Sequence, residues 1–159
     1  MCLPVTPFKI EREWMFAGLK CAVVMSREAG SRCGYVRVPP THPLHGKHYD
    51  AIDVAVHGGL TFAEEEPCVE EDGKGWWIGF DCAHLGDAMY DPNPDWLTLS
   101  DSAKEVLTVM REAHKGSIAA MQAYIPGYAR GGDHYWTQAE VESETEMLAN
   151  QIAMLGSIG

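Results

Sequence analysis

Side chains able to bind a metal ion or move a proton crowd one stretch of this chain: His42, His45, His48, Asp50, Asp53, His57, Asp81, Cys82, His84 and Asp87. Imidazole, carboxylate and thiolate groups are the common ligands of zinc and other first-row metals. Spacing restricts which of them can meet. On one extended strand Asp53 and His57 stand about 13 Å apart at ~3.3 Å per residue, too far to share an ion. Asp81 and His84 point to opposite faces unless the strand ends near Cys82. A metal site must therefore combine segments, for example His57 with His84 and Asp87, or His45 with His48 and Asp50. Without a metal, Asp81 or Asp87 beside His57 or His84 would make a carboxylate–imidazole pair able to move a proton near neutral pH. Such pairs serve more often as plain buried hydrogen bonds. Cys82 as a nucleophile would need His84 or His57 to lower its pKa, and inside WWIGFDCAH a packed thiol is the simpler reading.

Recognition without chemistry is the third use of these residues. Trp76, Trp77, Phe80, Phe62 and Tyr35 offer flat faces, while His57, Asp81, His84 and Arg37 offer directional polar contacts. Stacking with a few convergent polar groups is how a small planar ligand such as a nucleotide is held. The bland alternative makes one of Trp76 and Trp77 core and sets its neighbour on the other face. Gly58-Gly59 suits a phosphate nest or merely a tight turn. The chain carries no HExxH pair, nucleophile elbow, P-loop or dinucleotide fingerprint.

The elements that must position these groups are short strands. Met1 to Pro7 read as a loose arm, and Phe8 to Phe16 as a strand or short helix. Cys21 to Ser26 and Gly34 to Val38 are β-rich runs around a Gly/Ser loop. Alternation sets Tyr35 and Arg37 opposite Val36 and Val38. Pro39, Pro40 and Pro43 forbid regular pairing. Asp53 to His57 alternates as a strand, Leu60 to Phe62 pairs with Gly75 to Ala83, and Asp72-Gly73 marks the intervening turn. Beyond Pro92 and Pro94, Ser102 with Glu105 fits a capping box ahead of an apolar helical stripe, and Ile118 to Tyr124 continues it. Ile125 to His134 is a Gly-rich loop. Thr137 with Glu140 opens a last helix with Val141, Leu148, Ile152 and Leu155 on one face. That stripe either seals the sheet or pairs two copies, with packing on the sheet favoured. Glu140, Glu142, Glu144 and Glu146 read as its solvated side.

These elements predict a single α+β domain over residues 1–159: an antiparallel sheet packed against two or three helices, including the C-terminal amphipathic one. Met89 to Asp133 stands out as a helical and loop insertion. The chain has 159 residues, a length that suits one domain with its own core. A net charge of −11 argues against general binding to nucleic acid or anionic membrane. The five cysteines, Cys2, Cys21, Cys33, Cys68 and Cys82, are odd in number and lack a CxxC pair, so reduced core thiols are expected over a disulfide framework. Cys21 and Cys33 flank a hairpin and could face each other, with reduced thiols still favoured. With no signal peptide or membrane span in the sequence, a reducing cytoplasm is the expected setting.

The ordered phrases GYVRVPPTHPLHGKHYDAIDVAVHGGLTF, GWWIGFDCAHLGD and EVESETEMLANQIA resemble a family common in phages, prophages and mobile elements. Its members share VHGGLT, WWxGFDCAHxGD and a terminal helix, and this chain departs from the short members at Met89 to Asp133. The family is similar to the anti-defence sponges that sequester the nucleotide signals of Thoeris immunity. The resemblance implies a non-enzymatic accessory protein holding a small nucleotide-like ligand inside a bacterial host cell. It carries over no contact residues. The residues themselves nominate Tyr35, Arg37, His57, Phe62, Trp77, Asp81, His84 and Asp87 as ligand-binding groups. Two rivals stand beside the sponge: a metal-assisted hydrolase of a phosphate ester or glycosidic bond, and an acidic inhibitor of a host protein. Homo-oligomerisation fits any of them. The sequence names no particular cofactor, and it leaves turnover and sequestration open.

Overall fold

The computed structural model describes residues 2–7, 9–26, 31–84, 86–88, 100 and 134–158, with scattered positions between 101 and 116. Five strands, β1 (Lys9–Phe16), β2 (Leu19–Met25), β3 (Arg32–Val38), β4 (Phe62–Glu65) and β5 (Trp76–Asp81), form one sheet in the order β1-β2-β3-β5-β4. Every pairing is antiparallel. One long helix, α1 (Gln138–Ile158), packs against β1, β2 and β3. The α+β class holds, with one covering helix among the described residues rather than two or three. None of the described helices is long and apolar enough to cross a membrane.

Alternation builds the two faces. Cys21, Val23, Val36, Val38, Ile78 and Phe80 turn inward against Val141, Leu148, Ala149 and Ile152 of α1. Ala22, Val24, Tyr35 and Trp77 turn outward, where Leu3, Val5 and Phe62 cover them. The segment expected to be a loose arm is thus part of a second, smaller core. Cys2 anchors it through a disulfide to Cys68, with the two Cα atoms 5.9 Å apart. That pairing corrects the expectation that the cysteines stay unpaired. Cys21 and Cys33 do not face each other either, because Cys21 pairs with Val36 across the ladder and Cys33 with Val24.

On the outer face Arg37 is 5% exposed and Glu66 fully buried. The Arg37 Nε and Nη2 donate to Glu66 at 2.9 and 2.7 Å, and Nη1 and Nη2 donate to Asp72. Glu66 also accepts from the Gly75 amide and the Trp77 indole. Burial opposes ionisation of Glu66, but these donors prevail and hold it below the usual carboxylate range.

The close approach of helix and sheet is set at Gly34. A Cβ there would collide with Thr145 Oγ1 and the Phe80 ring. Gly34→Ala is therefore expected to cost about 1–3 kcal/mol through overpacking, read from urea denaturation. An unchanged midpoint would mean the helix can shift freely.

The last helix starts where the capping box predicts: the Thr137 amide donates to Glu140 Oε2 at 2.8 Å, and the Glu140 amide donates to Thr137 Oγ1 at 3.3 Å. Its glutamates are not simply solvated. Glu142 meets Arg12, Glu146 accepts from the Trp14 indole, and Glu144 accepts from the His57 amide. The earlier cap moves, since Asp101 and Ser102 are already helical and the Lys104 amide donates to the Ser100 carbonyl. The expected continuation at 118–124 and the Gly-rich loop up to 133 lie outside the described residues.

Candidate functional site

Asp53 to Val56 belongs to no strand, and His57 already opens the turn that follows. Its partner is the helix: the Ala55 amide donates to Gln151 Oε1 and the Gln151 side chain donates back to the Ala55 carbonyl, both at 2.7 Å. The His57 amide donates to Glu144 Oε1 at 2.7 Å. Side chains of α1 thus replace a neighbouring strand, which is why sequence alternation alone misassigned the segment. Gly58 and Gly59 then turn the chain with φ of 67° and 81°, closed by a 2.9 Å bond from the Gly59 amide to the Val56 carbonyl. The turn serves more than direction. A Cβ on Gly58 would strike the imidazole of His84, so only glycine lets the two segments meet.

Strand β5 ends at Asp81, whose Oδ1 accepts from the Ala83 amide. The chain then brings His84 and Asp87 round towards His57. His57 Nε2 lies 2.8 and 3.0 Å from the two Asp87 oxygens. Asp87 Oδ2 accepts the His84 amide at 2.9 Å and stands 3.4 Å from His84 Nδ1. The indole of Trp136 donates to Asp87 Oδ1 at 3.0 Å, and its ring lies 4.3 Å from that of His57 at a tilt of 36°. Burial alone would raise the Asp87 pKa. The donors from His57, the His84 amide and Trp136 outweigh it and hold the carboxyl below its ordinary range, hence ionised.

His84 Nδ1 is the anomaly. It is buried and makes no hydrogen bond, although Asp81 Oδ1 stands 3.7 Å away and Asp87 Oδ2 3.4 Å. A buried ring nitrogen left without a partner is costly unless something else binds it. Ligand atoms of His57, His84 and Asp87 all lie within 4.8 Å of one another. Two atoms each ~2.1 Å from one ion, at angles between octahedral and tetrahedral, lie about 3.0–3.4 Å apart. The contacts Asp87 makes with both imidazoles are close to that spacing.

The eight nominated residues divide between the two faces. His57, His84 and Asp87 converge, with Asp81 beside them. Tyr35, Arg37, Phe62 and Trp77 sit on the outer face, Trp77 fully buried and Arg37 committed to Glu66 and Asp72. Strand alternation separates them, so the expected aromatic clamp around the histidines does not form. His45, His48 and Asp50 do not converge either: His45 Nε2 contacts the Lys74 carbonyl, and His48 Nδ1 accepts the Asp50 amide. Cys82 is packed in the core, and burial raises its thiol pKa far from a reactive value. Sequence reasoning missed Trp136 and Glu144. No protein family, curated protein or solved structure matches this chain. Geometry alone carries the functional argument.

Proposed function

We propose that this protein is a metal-assisted hydrolase whose centre is His57, His84 and Asp87. The observation behind this reading is the unpartnered, buried His84 Nδ1, directed at an ionised carboxylate that already contacts a second imidazole. Two nitrogens and one carboxylate suit a transition ion such as zinc, manganese or ferrous iron better than magnesium or calcium, which take mostly oxygen ligands. Three protein ligands leave coordination positions for water and substrate, the pattern of catalytic metals. When bound, the ion would activate a water or polarise the scissile group. The chain's own residues hold the carboxylate ionised and the two imidazoles edge to face, 5.4 Å between ring centres. The bond cleaved is a phosphate ester or a glycosidic linkage.

Sequestration of a nucleotide-like ligand, in the manner of a phage anti-defence sponge, is less well supported. It keeps His57, Asp81, His84 and Asp87 but loses Tyr35, Phe62 and Trp77 as stacking faces. The deciding experiment is metal analysis of purified protein, before and after chelation and reloading with zinc or manganese. About one equivalent of a transition ion per chain is expected. Failure to retain any such ion after reloading would remove the hydrolase reading.

A further inference from the structure

The metal centre depends on a segment, residues 134–136, that no strand or helix contains. Part of its anchoring is backbone: the Ala88 amide donates to the His134 carbonyl and the His134 amide to the Gly86 carbonyl, both at 2.8 Å. A side-chain anchor is Arg32, at the start of β3 and 9% exposed. Its Nη1 donates to the Trp136 carbonyl and to the Tyr135 hydroxyl, each at 2.9 Å. The other side of its fork, Nε and Nη2, donates to both oxygens of Glu11 at 2.5 and 3.0 Å.

Glu11 reaches Arg32 because the β1–β2 ladder slips there. Ile10 pairs with Val24 and Arg12 with Val23, so Glu11 is the extra residue of a β-bulge. A bulge re-aims the side chain it carries. Here the Glu11 carboxylate, 5% exposed, crosses strand β2 to the guanidinium. Lysine cannot replace this arrangement, since one ammonium lacks the planar fork that holds a carboxylate on one edge and a carbonyl on another.

We infer that Arg32, oriented by the bulged Glu11, is a positioning residue of the metal centre, acting through Trp136 to aim the Asp87 carboxylate and brace the His57 ring. The inference rests on the metal reading above. Contacts of this outer kind are worth roughly 10–100-fold in metal affinity.

The test is a cobalt(II) titration of the purified protein, followed by visible absorption, for wild type, Arg32→Gln, Trp136→Phe and the double variant. Trp136→Phe keeps a ring against His57 but removes the indole donor. Each single variant is expected to weaken Co²⁺ binding by about 10-fold or more, and the double variant no further than the weaker single, because both changes break one chain of contacts. Arg32→Lys and Glu11→Gln should weaken binding in the same direction, and they carry the comparison if Arg32→Gln fails to fold. Wild-type affinity in Arg32→Gln with a lowered melting temperature would make the residue purely structural and overturn the inference. Multiplying effects in the double variant would also overturn it. A wild-type protein that binds no Co²⁺ would remove the metal reading itself, and the inference with it.

Discussion

Zinc is expected to raise the melting temperature of the wild-type protein and that of His84→Ala by half as much or less. A ligand that binds only the folded state stabilises it by RT ln(1 + [L]/Kd), about 2.7 kcal/mol at a hundredfold excess over Kd. Losing one of three ligands should weaken binding by at least the 10–100-fold that outer contacts alone are worth. His84→Ala separates the two readings of the site. If the cluster were only a hydrogen-bonded knot, removing His84 would disturb little of it, because His84 Nδ1 makes no hydrogen bond. Asp87→Asn would behave differently. Asp87 accepts from His57, the His84 amide and Trp136, so its replacement is expected to reduce stability without metal as well as abolish the zinc response. A wild-type melting temperature insensitive to zinc, cobalt and manganese would sink the centre.

The second large effect lies on the other face. Glu66→Ala is expected to destabilise the fold by about 3–5 kcal/mol, the usual consequence of stranding one partner of a buried ion pair. Arg37 would keep the half-exposed Asp72, the Gly73 carbonyl and a 4.0 Å contact with Glu70, none of them fully buried like Glu66. The Gly75 amide and Trp77 indole would lose their acceptor. For a chain of this size that is a fall in melting temperature of roughly 6–20 °C. Replacing the pair together, Arg37→Met with Glu66→Leu, should recover much of the loss. A loss below about 1 kcal/mol in Glu66→Ala would show that the pair contributes little. The pH dependence has a definite sign. Glu66, Asp72 and Asp87 all have folded pKa values below their ordinary ones, near 4. Their stabilisation is present above that value and is lost as pH falls through the lowered folded values.

Most of the sheet was readable because its strands are β-rich runs bounded by turn residues, although Lys9–Phe16 fitted a short helix as well. The hairpin about the Asp72-Gly73 turn forms, but its first strand is Phe62–Glu65 rather than Leu60 to Phe62, and the Thr137/Glu140 cap marks the helix start. The union of His57, His84 and Asp87 was legible as one example of a set drawn from several segments, because strand spacing keeps Asp53 and His57 from sharing an ion. Deciding among such sets needed the Gly58 turn, whose purpose is steric and visible only against His84. Trp136 gave no signal beyond being a tryptophan after a loop. Arg32 and Glu11 were hidden by a bulge, which no periodicity announces. The opposite face was misjudged for a related reason: alternation separates Tyr35 and Arg37 from the core but does not say that Leu3 and Val5 cover that side.

The side-chain tether of 53–57 to α1 also orders events during synthesis. His57, His84 and Asp87 all emerge early, yet Glu144 and Gln151, which hold the His57 segment, are made dozens of residues later. A nascent chain carrying the whole sheet would still have its first histidine unplaced. Domains fold as units when their last packing element is available. The proposed centre then needs the helix as well as the strands that precede it, and a ribosome-bound chain lacking residues 138–158 should be inert towards metal.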